Sequence, residues 1–208
     1  MPKRQMPKRQ IFPTVLAAIA GFSGMVLCIA FLAPSPGPGK DASAAAIGGP
    51  FALVDDTDGP ITERALAGKP YTIYFGYTYC PEICPTTLLD LSRWIKQLGT
   101  GADKLNYVFV TVDPERDTPQ LMQAYLSSFD KHIRGLTGTP EQIAKIARQY
   151  RVYYKKIPTK DGGYVMDHSS IIYLMGPDGK FVSMIAYQEN DASAIAKLRN
   201  LVALTPSS

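Results

Sequence analysis

Tyr74-Phe-Gly-Tyr-Thr-Tyr-Cys80-Pro-Glu-Ile-Cys84-Pro-Thr86 is the stretch that decides the fold. An apolar, aromatic run ends in two cysteines spaced i and i+4, each followed by proline. Leu88, Leu89, Leu91, Trp94 and Ile95 then recur at helical spacing. The pattern predicts a buried strand, a short loop carrying Cys80, and a helix that opens at or just after Cys84. Pro85 suits the first helical turn, where the amide it lacks would have had no partner. A thiol at a helix N-terminus meets the positive end of the helix dipole, which favours the thiolate. Thiolate is both the nucleophile and the metal ligand, so the chemistry belongs here.

Working outward, Phe51–Val54 reads as an opening strand and residues 55–60 as a turn. Residues 71–77 form the strand entering the cysteine motif, and 86–98 the helix leaving it. Residues 105–112 are a near-continuous β-rich run, as expected of a strand covered on both faces. Thr118 is placed to cap a helix that starts at Pro119 and reaches about Phe129. A third helix is expected over 140–150 and a short strand over 152–157. Two strands, 171–175 and 180–187, flank Gly176-Pro-Asp-Gly179, a strong hairpin signal, and a closing helix covers 193–204. This order predicts an α/β thioredoxin-like fold: a central mixed sheet flanked by helices, with an extra N-terminal strand and a longer middle.

The N-terminus has a different character. Met1–Gln5 repeats as Met6–Gln10, and these ten residues carry four of the 22 basic residues and no acid. The remaining 18 basic residues balance 18 acidic ones, so nothing resembles a nucleic-acid footprint. Residues 11–33 contain no charge, and at about 1.5 Å per residue such a helix crosses a ~30 Å hydrocarbon core. The expected organisation is a cytoplasmic basic tail (1–10), a transmembrane helix (11–33), a flexible Pro/Gly/Ala/Ser linker (34–49) and a globular domain (50–208). The positive-inside rule exports the domain. A cleaved signal peptide is the rival, with small residues at 42–46, but the apolar run is long for one. Cys28 follows Leu27, where lipoprotein signals carry a small residue, and reads as a membrane-buried apolar side chain.

Two exported cysteines admit three readings. A structural disulfide suits an oxidising compartment, although so short a loop constrains the unfolded chain little. A redox pair fits the strand-then-helix placement, with one residue more than Cys-x-x-Cys. A metal site fits two soft thiolates, which suit Cu(I), and asks for a further ligand. Of the two histidines, His132 lies in a polar connection and reads as a solvated surface residue. His168, just before the hairpin strand, lies in the segment that faces the cysteine helix in a thioredoxin-like fold.

Tyr77-Thr-Tyr-Cys80-Pro-Glu-Ile-Cys84-Pro, Val112-Asp-Pro-Glu-Arg-Asp-Thr-Pro119 and Asp167-His168-Ser169, in this order and spacing, resemble the Sco (SCO/SenC) family of copper proteins of cytochrome c oxidase assembly. The resemblance covers roughly Ile47 to Leu204. It implies one copper held by Cys80, Cys84 and His168, taken from a copper donor protein and delivered to the copper-A site of oxidase subunit II. It places the chain in a bacterial inner membrane, N-terminus cytoplasmic and domain in the periplasm. A chaperone is thereby expected rather than an enzyme. The alternatives are a thiol–disulfide oxidoreductase that reduces the target's cysteines through Cys80 and Cys84, and a thiol peroxidase that would leave His168 without a role. Asp113, ending a central strand, is expected to orient His168, to touch a partner, or to cap its own turn with Thr118. Tyr77 and Tyr79 are expected to wall the site or to meet a partner. Met166 is expected either as packing or as a further soft ligand.

Overall fold

The computed structural model describes residues 46–206. The transmembrane helix expected over 11–33 and the basic tail before it lie outside the described residues. Among those described, no helix is long and apolar enough to cross a membrane.

The strand of the cysteine motif is β3 (Tyr71–Gly76), and all six of its residues are buried. It lies between β4 (Asn106–Thr111), which runs parallel to it, and β8 (Ile171–Met175), which runs antiparallel. The full sheet has seven strands in the order β2-β1-β5-β4-β3-β8-β9. Beyond β4 lies β5 (Ile133–Thr137), parallel to it, and then β1 (Ala52–Asp55) and β2 (Pro60–Thr62), both antiparallel. On the other side β9 (Phe181–Ala186) closes the expected hairpin with β8. Strands buried on both faces must be continuous apolar runs, and β3 and β4 are. This is the mixed α/β sheet of a thioredoxin-like fold.

Helix α1 (Ile83–Leu98) follows β3 and buries Cys84, Thr87, Leu88, Leu91, Trp94 and Ile95. Leu89, read with the apolar stripe, turns outward and is 53% exposed. At the far end of the stripe the Trp94 indole N–H donates to Asp191 Oδ1 at 2.9 Å, joining α1 to the start of α4 (Asp191–Val202). Helix α2 (Pro119–Leu126) starts as expected: Thr118 Oγ1 accepts from the Leu121 amide at 3.2 Å and Pro119 opens the first turn. It ends three residues before Phe129. Helix α3 (Pro140–Gln149) has a full capping box from Thr139 and Gln142.

The longer middle holds the largest departures from expectation. β5 was not anticipated. Gly135 lies within it, where a Cβ would meet Leu126 Cδ1 at 2.8 Å, so the residue that hides the strand pattern is the one that lets α2 close on the sheet. β6 (Tyr154–Pro158) starts two residues later than expected and pairs with β7 (Tyr164–His168), to which the sequence reading assigns no strand. The two form a separate antiparallel sheet, and His168 is its last residue.

Candidate metal centre

Three elements meet at the C-terminal end of β3. The chain leaves the strand at Gly76, runs through Tyr77 and Thr78, and reaches Cys80 in the loop. Cys84 falls in the first turn of α1, behind Glu82 at the cap position. Its amide donates to Cys80 Sγ at 3.3 Å, so the helix end faces the first sulfur directly. Gly76 makes the approach of Cys84 possible. A Cβ there would stand 2.9 Å from Cys84 Sγ and 2.7 Å from the Phe109 ring.

His168 enters from β7, with its Nε2 at 3.4 Å from Cys84 Sγ. Its Nδ1 lies 2.9 Å from the Ser169 carbonyl oxygen, which can only accept, so the proton belongs on Nδ1 and the Nε2 lone pair is free for the site. Tyr77, 2% exposed, meets the imidazole edge to face with centroids 5.7 Å apart. One ligand atom from each of Cys80, Cys84 and His168 falls within 4.8 Å of the others, the one such group of three among the described residues. Cys80 and His168 border a cleft of about 330 Å³ lined also by Pro81, Ile83, Val165 and Met166, while Cys84 is fully buried.

The two thiols are free and electrostatically unlike. Cys80 is half-buried and drops from the ordinary 9.0 to about 4, chiefly because the Cys84 thiol donates to it, helped by the amides of Cys84 and Glu82. Cys84 is fully buried and moves far upward, because its proton is shared with Cys80 and burial disfavours a second charge. The pair therefore holds one proton, on the buried sulfur. A soft cation replacing that proton meets two sulfurs and one imidazole nitrogen, a donor set matched to Cu(I).

Around this centre the other expected residues separate. Asp113, 1% exposed, does not touch His168. Its carboxylate accepts from Arg116 Nε and from the Tyr164 hydroxyl at 2.9 Å. Thr118 caps α2, and Asp113 closes the turn with its own carbonyl instead. Arg116 and Tyr164 went unassigned in the sequence and prove central. The guanidinium lies 3.8 Å from the Tyr164 centroid, and its Nη1 donates to the Tyr164 carbonyl at 3.1 Å, four residues before His168. Asp113 thus acts on the histidine strand through Arg116 and Tyr164. Tyr79 is 57% exposed and stacks on the same guanidinium at 4.7 Å, so Tyr77 walls the site and Tyr79 forms its rim. Met166, 7% exposed, packs into the core beside the cleft. Asp117 was also missed. Fully buried, it accepts from Thr78 N, Thr78 Oγ1 and Thr111 Oγ1 at 3.1, 2.6 and 2.6 Å, fixing the loop before Cys80 to the end of β4. Burial raises its pKa against the pull of those donors. His132 lies apart from the group, half-buried, with its ring nitrogens 2.6 Å from Asp130 Oδ1 and 3.1 Å from Asp103 Oδ1, so it is held by two carboxylates rather than simply solvated.

The SCO1/SenC family model matches residues 39–203. The chain belongs to the SCO1/SenC family. It is 47% identical over 146 residues to the Arabidopsis thaliana protein SCO1 homolog 1, mitochondrial, covering 69% of this chain and 43% of that one. To the human protein SCO1 homolog, mitochondrial, it is 36% identical over 155 residues, covering 73% and 52%. The chain therefore spans about half the length of these relatives. Among solved structures, copper-bound ScoI of Bradyrhizobium japonicum has 52% identity and a TM-score of 0.70, covering 75% of this chain and 99% of that one. Copper-bound ScoI of Arabidopsis thaliana has 40% identity and a TM-score of 0.72, covering 76% and 99%. The family match takes in all three elements that meet at the candidate centre.

Proposed function

We propose that this member of the family is a metallochaperone that carries one copper ion on Cys80, Cys84 and His168. On this reading it receives copper from a donor protein and passes it to the copper-A site of cytochrome c oxidase subunit II during assembly. The carrying observation is the convergence of two thiols and an imidazole nitrogen within 4.8 Å, with Cys80 and His168 bordering an open cleft. Copper is cargo here. Two thiolates and a neutral imidazole leave Cu(I) three-coordinate, so a partner's ligand can enter before any of these leaves. The copper-bound relatives support the choice of ion. The same reading anchors the chain by residues 11–33 in a bacterial inner membrane, with the domain in the periplasm.

A second reading has its own observation. Cys80 is an accessible thiolate beside a thiol that can resolve a mixed disulfide, the arrangement of a reductant for a partner's cysteines. Oxidation of Cys80 and Cys84 to a disulfide would also remove both sulfur ligands, so the two roles compete for the same atoms.

The two are separated with a subunit II fragment whose copper-binding cysteines are already reduced. A chaperone loaded with Cu(I) transfers the metal to that target, and His168→Ala abolishes the transfer. If the pre-reduced target takes no copper from the loaded protein, while the copper-free dithiol reduces the oxidised target and His168→Ala does so equally well, the reductase reading replaces this one.

A further inference from the structure

Buried hydroxyl groups normally find a partner. Tyr74 is 1% exposed and its hydroxyl has none. It lies on β3 two residues before Gly76, so the two positions share one face of the strand. Its ring packs on Phe109 with centroids 5.8 Å apart, and Phe109 is the ring that a Cβ at Gly76 would strike together with Cys84 Sγ. The phenol, Phe109 and the Cys84 sulfur thus lie together on one side of the sheet, with Cys84 carried by α1. No partner stands in hydrogen-bond geometry to the phenol, although Cys84 lies close enough to push its pKa up and Thr87 close enough to pull it down. Thr87 has committed its own proton to the Ile83 carbonyl at 2.8 Å. Burial and the adjacent Cys84 push the phenol upward, so it keeps its proton.

Cys84 is the fully buried sulfur of the pair, and its thiol carries a proton that a metal ion must displace. To bind a metal it must lose that proton, and the negative charge then appears on an atom with 0% exposure. The Tyr77 amide is the backbone donor that already favours charge there. We propose that the Tyr74 hydroxyl is a donor held in reserve, which turns onto Cys84 Sγ when that sulfur ligates copper and so strengthens the loaded state. The Cys84 proton leaves to solvent as copper binds, and the Tyr74 proton stays on its oxygen throughout. This inference rests on Cys84 being a copper ligand. It makes Tyr74 a positioning residue with opposite effects in two states: an unsatisfied group in the free protein and a bonded one in the loaded protein.

Tyr74→Phe keeps the ring and removes the oxygen. Two quantities decide the matter: the melting temperature of the reduced, metal-free protein, and its Cu(I) affinity by competition with a chromophoric Cu(I) chelator. The melting temperature should hold or rise while affinity falls about tenfold, the lower end of what outer-shell partners contribute. An affinity within threefold of the parent overturns the proposal. So does a lower melting temperature, which would mean that the hydroxyl is already bonded in the free state, with Thr87 as its partner. A parent that takes up no Cu(I) at all would refute the copper reading itself, a result distinct from either of these.

Discussion

The two halves of the candidate centre are built differently. The thiols sit in the loop after β3 and on α1, where every strand residue is buried and the loop is tied down by the buried Asp117. The histidine sits at the open end of the β6–β7 hairpin, a two-stranded sheet outside the main one, with β6 largely exposed. Beyond the packing of Met166 and Tyr164, this hairpin is tied to the loop after β4 by polar contacts: Arg116 to the Tyr164 carbonyl, Tyr164 to Asp113, and Lys156 to Glu115 at 2.7 Å. A rigid pair of sulfurs and a tethered imidazole suit the proposed role, which would require both holding and releasing an ion. Stability is not uniform across a fold, and elements with few buried contacts open first.

The comparison can be broken from the rigid side. Gly76→Ala places a Cβ against both Cys84 Sγ and Phe109, neither of which is the far end of a flexible chain. Overpacking of this kind costs about 1–3 kcal/mol. A lower midpoint in denaturant is expected, together with lost copper binding, and an unchanged midpoint would mean that β3 and α1 are looser than described. From the tethered side, Arg116→Ala removes the donor to the Tyr164 carbonyl and the stacking of Tyr79 and Tyr164. One such bond is worth about 1 kcal/mol. Amide exchange in β7 should therefore quicken about fivefold while that in β3 stays the same. Equal acceleration in both strands would erase the distinction.

How much of this was legible beforehand depended on whether a residue's role was local. β3, α1 and the β8–β9 hairpin were readable because apolar continuity, helical spacing and turn chemistry are short-range signals. Cys80, Cys84 and His168 were readable as chemistry, since few other side chains ligate soft metals. Arg116, Tyr164 and Asp117 were not, because each acts on a distant segment: Tyr164 is 51 residues from the Asp113 that it bonds, and Asp117 is 39 from Thr78. β5 was hidden by Arg134 and Gly135, whose reasons lie in tertiary packing.

A finer probe is the pH profile of Cys80. Held near 4, it should react with iodoacetamide at a rate nearly independent of pH between 6 and 8. An ordinary thiol of pKa 8.5 gains almost a hundredfold over that span. A tenfold rise per pH unit would show that Cys84 and the helix end do not stabilise the thiolate. The smallest effect belongs to the other histidine. His132 has a raised pKa, chiefly from its bond with Asp130. Its stabilisation is full below the unfolded value near 6.5 and disappears as pH rises through the higher folded value. His132→Gln should lower the melting temperature slightly at pH 5.5, leave it unchanged at pH 9, and leave copper affinity alone. Altered copper affinity would make the two histidines less separate than their positions indicate.

The central claim is that Cys80, Cys84 and His168 act together on one copper ion. X-ray absorption of the reduced protein loaded with one equivalent of Cu(I) tests it most directly. The account predicts two sulfur ligands and one nitrogen, with the nitrogen lost in His168→Ala and a sulfur lost in Cys84→Ser. A parent spectrum with two sulfurs and no nitrogen, unchanged by His168→Ala, would contradict it.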